Sequence, residues 1–130
     1  MKVINLGEQN SVLNQFVSEI RDVNIQKDSL RFRRNLERIG EIFAYEISKT
    51  LNYVPSEVET PLGIANIQLC NQTIVLGTIL RAGLPLHQGL LNYFDCAQNS
   101  FIAAYRKYGK DNKFTIQIEY ASSPKLEGKI

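Results

Sequence analysis

The spacing of apolar positions changes along the chain, and each change marks a different kind of element. Val12, Leu13, Phe16, Val17 and Ile20 share one helical face and predict a helix over residues 11–21. Asn10 or Ser11 is suited to cap it, a side-chain oxygen accepting a free N–H of the first turn. A polar break at Asp22-Val23-Asn24 follows. Asp28-Ser29 opens a longer helix, predicted to about Leu51, in which Leu36, Ile39, Phe43, Ile47 and Leu51 recur at helical spacing. Its other surface carries Arg34, Glu37, Arg38 and Glu41, with opposite charges three and four residues apart.

Beyond Asn52 the pattern shortens. Pro55 and Pro61-Leu62-Gly63 punctuate β-branched stretches and predict a hairpin near residues 57–69. Residues 73–79 form a near-continuous apolar run, which suits a strand buried on both faces of a parallel sheet. Pro85 suits the first turn of a helix near residues 84–94 carrying Leu86, Leu90 and Leu91. Residues 100–105 read as a second buried strand, so the order is strand, helix, strand with a right-handed crossover. After a turn at Gly109-Lys110-Asp111-Asn112, residues Phe114, Ile116, Ile118 and Tyr120 alternate with Thr115, Gln117 and Glu119. That period of two predicts an antiparallel arm with one wet and one dry face. Ser122-Ser123-Pro124 turns the chain again, and Gly128-Lys129-Ile130 reads as the entry to a further buried strand.

Composition narrows the function classes. The 130 residues are 44% apolar and 22% charged, with 8 Gly and 4 Pro, which excludes collagenous and low-complexity chains and fits one α/β domain over residues 1–130. A net charge of +2 argues for no nucleic-acid partner, and no apolar run is long enough to span a membrane. With no signal-peptide pattern at the start, the expected compartment is the cytoplasm. There Cys70 and Cys96 are expected to be buried free thiols, and the Asn71-Gln72-Thr73 sequon a chance match. Two cysteines and the single histidine, His87, give no paired metal-ligand spacing.

Ligands of open α/β sheets sit outside the carboxyl ends of parallel strands. Arg81 follows the first predicted parallel strand and Arg106 the second. Ala82 and Gly83 are small enough for backbone N–H groups to approach an anion, beside the positive end of the next helix. Guanidinium binds phosphate through bidentate, charge-assisted bonds, so this set points to a phosphorylated ligand; the alternative is two ordinary solvated arginines. Arg31-Phe32-Arg33-Arg34 is the densest basic cluster; it could contact nucleic acid or a regulatory nucleotide, but reads first as a solvated helix start or subunit contact, with a partner carboxylate or phosphate to be sought. His87 has no nucleophile or acid nearby in sequence and reads as structural. Tyr105, Tyr108 and Tyr120 read as packing or subunit contacts.

The segment Ile79-Leu80-Arg81-Ala82-Gly83-Leu84, with Ala104-Tyr105-Arg106 downstream, resembles the uracil phosphoribosyltransferase family. The landmarks Arg21-Asp22, Arg31-Phe32-Arg33, the helix with Gly40 and Tyr45-Glu46, and Glu59-Thr60-Pro61-Leu62-Gly63 fall in that family's order, as does the arm over residues 114–120. The resemblance implies a phosphoribosyltransferase-like α/β fold: a parallel sheet with flanking helices, N-terminal helices and an antiparallel β arm, incomplete at the C-terminus. It implies transfer of ribose 5-phosphate from phosphoribosyl pyrophosphate to uracil in pyrimidine salvage, with Mg²⁺ riding on the pyrophosphate and a homodimer or higher homo-oligomer. Arg81, Ala82, Gly83 and Arg106 are the implied phosphoribosyl pyrophosphate contacts, and a non-proline cis bond at Leu80–Arg81 is expected. The family's acidic, Gly- and Thr-rich ribose-phosphate loop has no counterpart here, which predicts a chain inactive by itself. A strand edge left bare beside residues 73–79 or 100–105 then favours self-association. The alternatives are a phosphate-binding regulatory module or a dimerisation domain derived from that family.

Overall fold

Ser11 begins the first helix as a cap, its Oγ accepting from Leu13 N at 3.3 Å, and α1 runs Val12–Arg21. The computed structural model describes residues 3–108 and 114–130. Asp28 caps the second helix, its Oδ1 accepting from Leu30 N at 3.1 Å and Arg31 N at 3.0 Å. This helix, α2, spans Ser29–Ser48 and not to Leu51, because Thr50 N and Leu51 N turn back onto the carbonyls of Ile47 and Ser48. Single 3₁₀ turns at Leu6–Glu8 and Ile25–Lys27 precede α1 and α2.

The hairpin is longer than the β-branched stretches predict: β1 is Tyr53–Thr60 and β2 Gly63–Cys70, paired antiparallel from Tyr53↔Cys70 to Thr60↔Gly63. Pro55 lies inside β1, since a two-stranded ribbon has free edges where a missing N–H costs little. Gly63, at φ 130°, takes the turn.

The second sheet has the order β3-β4-β5, with β3 Val75–Leu80, β4 Gln98–Tyr108 and β5 Phe114–Ser122. β3 and β4 are parallel, joined through α3 (Leu84–Leu91), which ends three residues short of Phe94. β5 returns antiparallel to β4, with a register shift at Ala103/Ala104 that leaves Glu119 without an opposite residue. Ile130 donates to Thr73 O at 3.1 Å and accepts from Val75 N at 2.6 Å, so the chain lies parallel against the outer edge of β3, although no strand forms there and Ile130 is exposed. The predicted turn at residues 109–112 and the side chain of Tyr108 fall outside the described residues.

The core sits where the helices meet: Leu13, Ile39 and Ala44 are buried, and Leu76 joins them from β3. Several expectations of burial need correction. Leu76 is buried but Ile79 is 59% exposed, because α3 covers one face of β3 and no described helix covers the other. In the arm Ile116, Ile118 and Tyr120 are exposed like Thr115, Gln117 and Glu119, so these six described side chains form no dry face. Cys70 and Cys96 are free thiols but exposed, sitting at the end of β2 and in the loop after α3. Tyr105 and Tyr120 are likewise exposed and do not pack into this chain's core.

Candidate functional site

The last parallel pair is Leu80↔Ala103, and the sheet changes character there. Arg81 is the next residue on β3's side, and the Leu80–Arg81 peptide bond is cis. Arg106 does not follow β4, as the apolar run suggested; it lies inside the strand opposite Ile116, because β5 extends the pairing to Tyr108. It nevertheless stands past the parallel ladder's end, on the same edge as Arg81. Strand alternation places Arg106 with Ile102 on the face opposite Phe101. The register thus brings both arginines to the carboxyl edge of the parallel pair, where both are exposed.

Between Arg81 and α3 the backbone is tightly wound. Gly83 N donates to Ile79 O at 3.2 Å, Leu84 N to Arg81 O at 3.2 Å, and His87 N to Gly83 O at 2.9 Å. A Cβ on Gly83 would collide with Thr78 Oγ1 and lie 2.9 Å from Ile79 O. Gly83 is therefore small so that the turn can close on β3, and its own N–H is already used. Ala82 is exposed beside Arg81.

The turn is held from below. His87 is buried in α3, its Nε2 2.7 Å from Asn99 Oδ1 on β4 and its ring 5.3 Å from that of Phe101. It is structural in this sense, as its sequence neighbourhood suggested. Thr78 and Asn99 carried no sequence signal, since their importance comes from what crosses above them.

In the arm, partial desolvation and then the neighbouring Glu119 carboxylate raise the Tyr105 phenol above its ordinary range. The basic cluster finds carboxylate partners: Arg31 reaches Glu19 at 3.3 Å and Asp28 at 3.9 Å, and Arg34 reaches Glu37 at 2.5 Å. Arg31 thus ties the start of α2 to α1, while the Arg34 pair lies within α2. Two clefts lie away from Arg81 and Arg106. One of about 1030 Å³ opens between residues 4–7, α1 and α2, with walls of Leu13, Val17, Phe43 and Ile47. The other, about 530 Å³, is bordered by Tyr53, Cys70, Tyr93 and Cys96 at the foot of the hairpin. The first is also lined by Arg21, Asn5 and Asn14. Among the described residues no helix is long and apolar enough to cross a membrane.

Comparison with known proteins bears on the same region. The uracil phosphoribosyltransferase family pattern matches residues 7–125. A uracil phosphoribosyltransferase of Porphyromonas gingivalis is 55% identical over all 130 residues, and the chain spans 60% of that relative's length. Counterparts from Thermococcus gammatolerans and Pyrococcus furiosus are each 34% identical over 92% of this chain, which covers 53% and 50% of theirs. Among solved structures, the AQ2163 protein from Aquifex aeolicus superposes with a TM-score of 0.77 at 27% identity, over 93% of this chain and 56% of its own.

Proposed function

The chain belongs to the uracil phosphoribosyltransferase family, and on that premise we propose that its Arg81 turn and Arg106 bind the pyrophosphate of phosphoribosyl pyrophosphate in the transfer of ribose 5-phosphate to uracil. The observation that carries this reading is the placement of Arg81 and Arg106 beyond the Leu80↔Ala103 pair, on one edge of the parallel ladder. In the transfer the bond from the ribose carbon to pyrophosphate breaks, a bond to a uracil nitrogen forms, and that nitrogen loses its proton. Negative charge grows on the departing pyrophosphate, which is where two fixed guanidinium groups lower the barrier most. Ala82 offers close backbone approach, and Gly83 shapes the turn. Among the described residues no three His, Cys, Asp or Glu side chains gather as a metal site. Mg²⁺ enters this reading with the substrate, carried on its pyrophosphate. The product, UMP, makes this a reaction of pyrimidine salvage.

Self-association is part of the proposal: Ile116 and Ile118, 69% and 62% exposed on the arm, are apolar surface suited to a second copy. Titration of the chain with Mg²⁺–phosphoribosyl pyrophosphate tests the ligand. We expect saturable binding that Arg81→Ala weakens by about tenfold or more, the loss of one charge-assisted bidentate contact. Absence of binding at millimolar ligand, or equal binding by Arg81→Ala, rejects the assignment.

A further inference from the structure

Arg81 sits in a turn whose backbone path depends on where α3 rests. At its C-terminal end α3 is bonded to α2 through Asn92 Nδ2, to Glu37 Oε1 at 3.3 Å and Glu41 Oε1 at 2.9 Å, and three further contacts seat the helix. Gly83 closes on Thr78, and Gly89 lies against the backbone of α2 at Glu37 and Glu41. Both are contacts of shape that set how closely α3 approaches β3 and α2. The third is directional: His87, 6% exposed, meets Asn99 Oδ1 at 2.7 Å through Nε2. With the amide oxygen facing the ring, Nε2 carries the proton and donates. Nδ1 is buried without a hydrogen-bond partner, so the Asn99 contact is the ring's one side-chain hydrogen bond among the described residues. His87 N also donates to Gly83 O, so the ring's position is passed directly to the Arg81–Gly83 turn. On the other side, Asn99 shares β4 with Arg106.

We propose that His87 and Asn99 are positioning residues that fix the Arg81 turn relative to the Arg106 strand across the β3–α3–β4 crossover. The bond ties the helix following one arginine to the strand bearing the other. A part-buried polar bond is suited to this because an apolar contact fixes distance but not rotation, whereas a hydrogen bond loses strength steeply with angle. The consequence for ligand binding rests on reading the Arg81 turn as the pyrophosphate site.

Amide hydrogen exchange in the full chain separates the two claims. Gly83 N and Leu84 N are bonded to Ile79 O and Arg81 O and should exchange slowly. His87→Phe keeps a ring against Phe101 but removes the bond; Asn99→Ala removes it from an exposed position where folding is not at risk. Both variants should speed exchange at Gly83 and Leu84 by about tenfold, the scale of one lost hydrogen bond, with the β1–β2 hairpin amides unchanged. Both should also weaken Mg²⁺–phosphoribosyl pyrophosphate binding. Leu13→Ala, a core variant far from the turn, should lower thermal stability and leave that affinity unchanged. His87→Gln, which restores a donor, should recover part of both effects. Wild-type exchange at Gly83 and Leu84 in both variants overturns the proposal, as does acceleration that is uniform along the chain. Failure of the wild-type chain to bind ligand rejects the site instead, and the exchange data then decide whether the pair holds the turn.

Discussion

Gly40 of α2 and Gly89 of α3 meet backbone to backbone: a Cβ built on Gly40 would lie 3.1 Å from Gly89 Cα and would collide with Leu86 O. A Cβ on Gly89 would collide with Glu37 O and lie 2.9 Å from Glu41 N. The atoms in the way are backbone, so neither helix can yield by rotating a side chain. Since α3 carries the Arg81 turn at its start, this crossing sets the depth at which the turn sits.

Gly89→Ala should therefore destabilise the chain. Replacing a mid-helix glycine gains about 1 kcal/mol of helix propensity. Forcing two close-packed helices apart costs up to about 3 kcal/mol, so the net loss should be about 2 kcal/mol in urea denaturation. Gly77→Ala is the opposite case. Nothing lies within 4 Å of a Cβ there, and the residue is exposed in β3. It should be neutral or stabilising by about 0.5 kcal/mol. Equal effects at the two positions would refute the crossing as a steric constraint.

Much of this arrangement was legible in the sequence, and its gaps share one cause. Local signals were reliable: Ser11, one of the two expected caps, forms its bond, α2 opens at Asp28-Ser29, and the strand-helix-strand order around Arg81 is present. Apolar runs report what a segment is able to bury, not what covers it. That is why residues 73–79 and the arm looked more buried than they are. Arg106 looked terminal because a strand's end depends on its partner, and β5 was not assignable as β4's neighbour from pattern alone. Gly40 with Gly89, and His87 with Asn99, are pairs created by crossing geometry. An isolated glycine inside a helical pattern was their only trace.

The α1–α2 contact contains a buried polar bond that should be costly to remove. Asn35 is fully buried; its Nδ2 donates to Glu19 Oε2 at 2.7 Å, and its Oδ1 accepts from Arg38 Nη1 at 3.1 Å. Asn35→Leu removes both and leaves no replacement partner at that spot, for a loss of about 1–3 kcal/mol. Asn35→Asp should lose more, because a second carboxylate would face Glu19. Chemical denaturation of the three chains ranks them, and an Asp variant more stable than the Leu variant would contradict the network as drawn.

Glu19 makes the same contact sensitive to acid. The Asn35 amide first, then Gln15 and Arg31, hold its carboxyl below the ordinary value of 4.5. A depressed folded-state pKa contributes stability that is present above that ordinary value and is lost as pH falls through the lower folded one. Backbone N–H groups of Ile25 and Asn24 depress Asp22 in the same direction. Glu19→Gln should therefore flatten the fall in stability on the acid side of pH ~4.5 without shifting the neutral-pH baseline's slope. Carbon-detected titration of the carboxyl groups should show Glu19 moving up towards its ordinary value in Asn35→Leu. An unchanged Glu19 titration there would remove Asn35 as the main cause.

The two thiols should differ in reactivity although both are exposed. Asp95 beside Cys96 accepts from its thiol and repels the thiolate, and both effects raise its pKa above the ordinary 9.0. Nucleophilic attack needs the thiolate, so at pH ~8 a smaller fraction of Cys96 than of an ordinary thiol is reactive. Single-cysteine chains, Cys70→Ser and Cys96→Ser, can be followed separately with an aromatic disulfide reagent in native buffer. Both thiols should react without denaturant, with Cys96 a few-fold slower. Asp95→Asn should accelerate Cys96 and leave Cys70 unchanged, because the carboxylate charge is the cause of the difference. A Cys96 rate indifferent to Asp95→Asn would place the slowness in access to the cleft it borders.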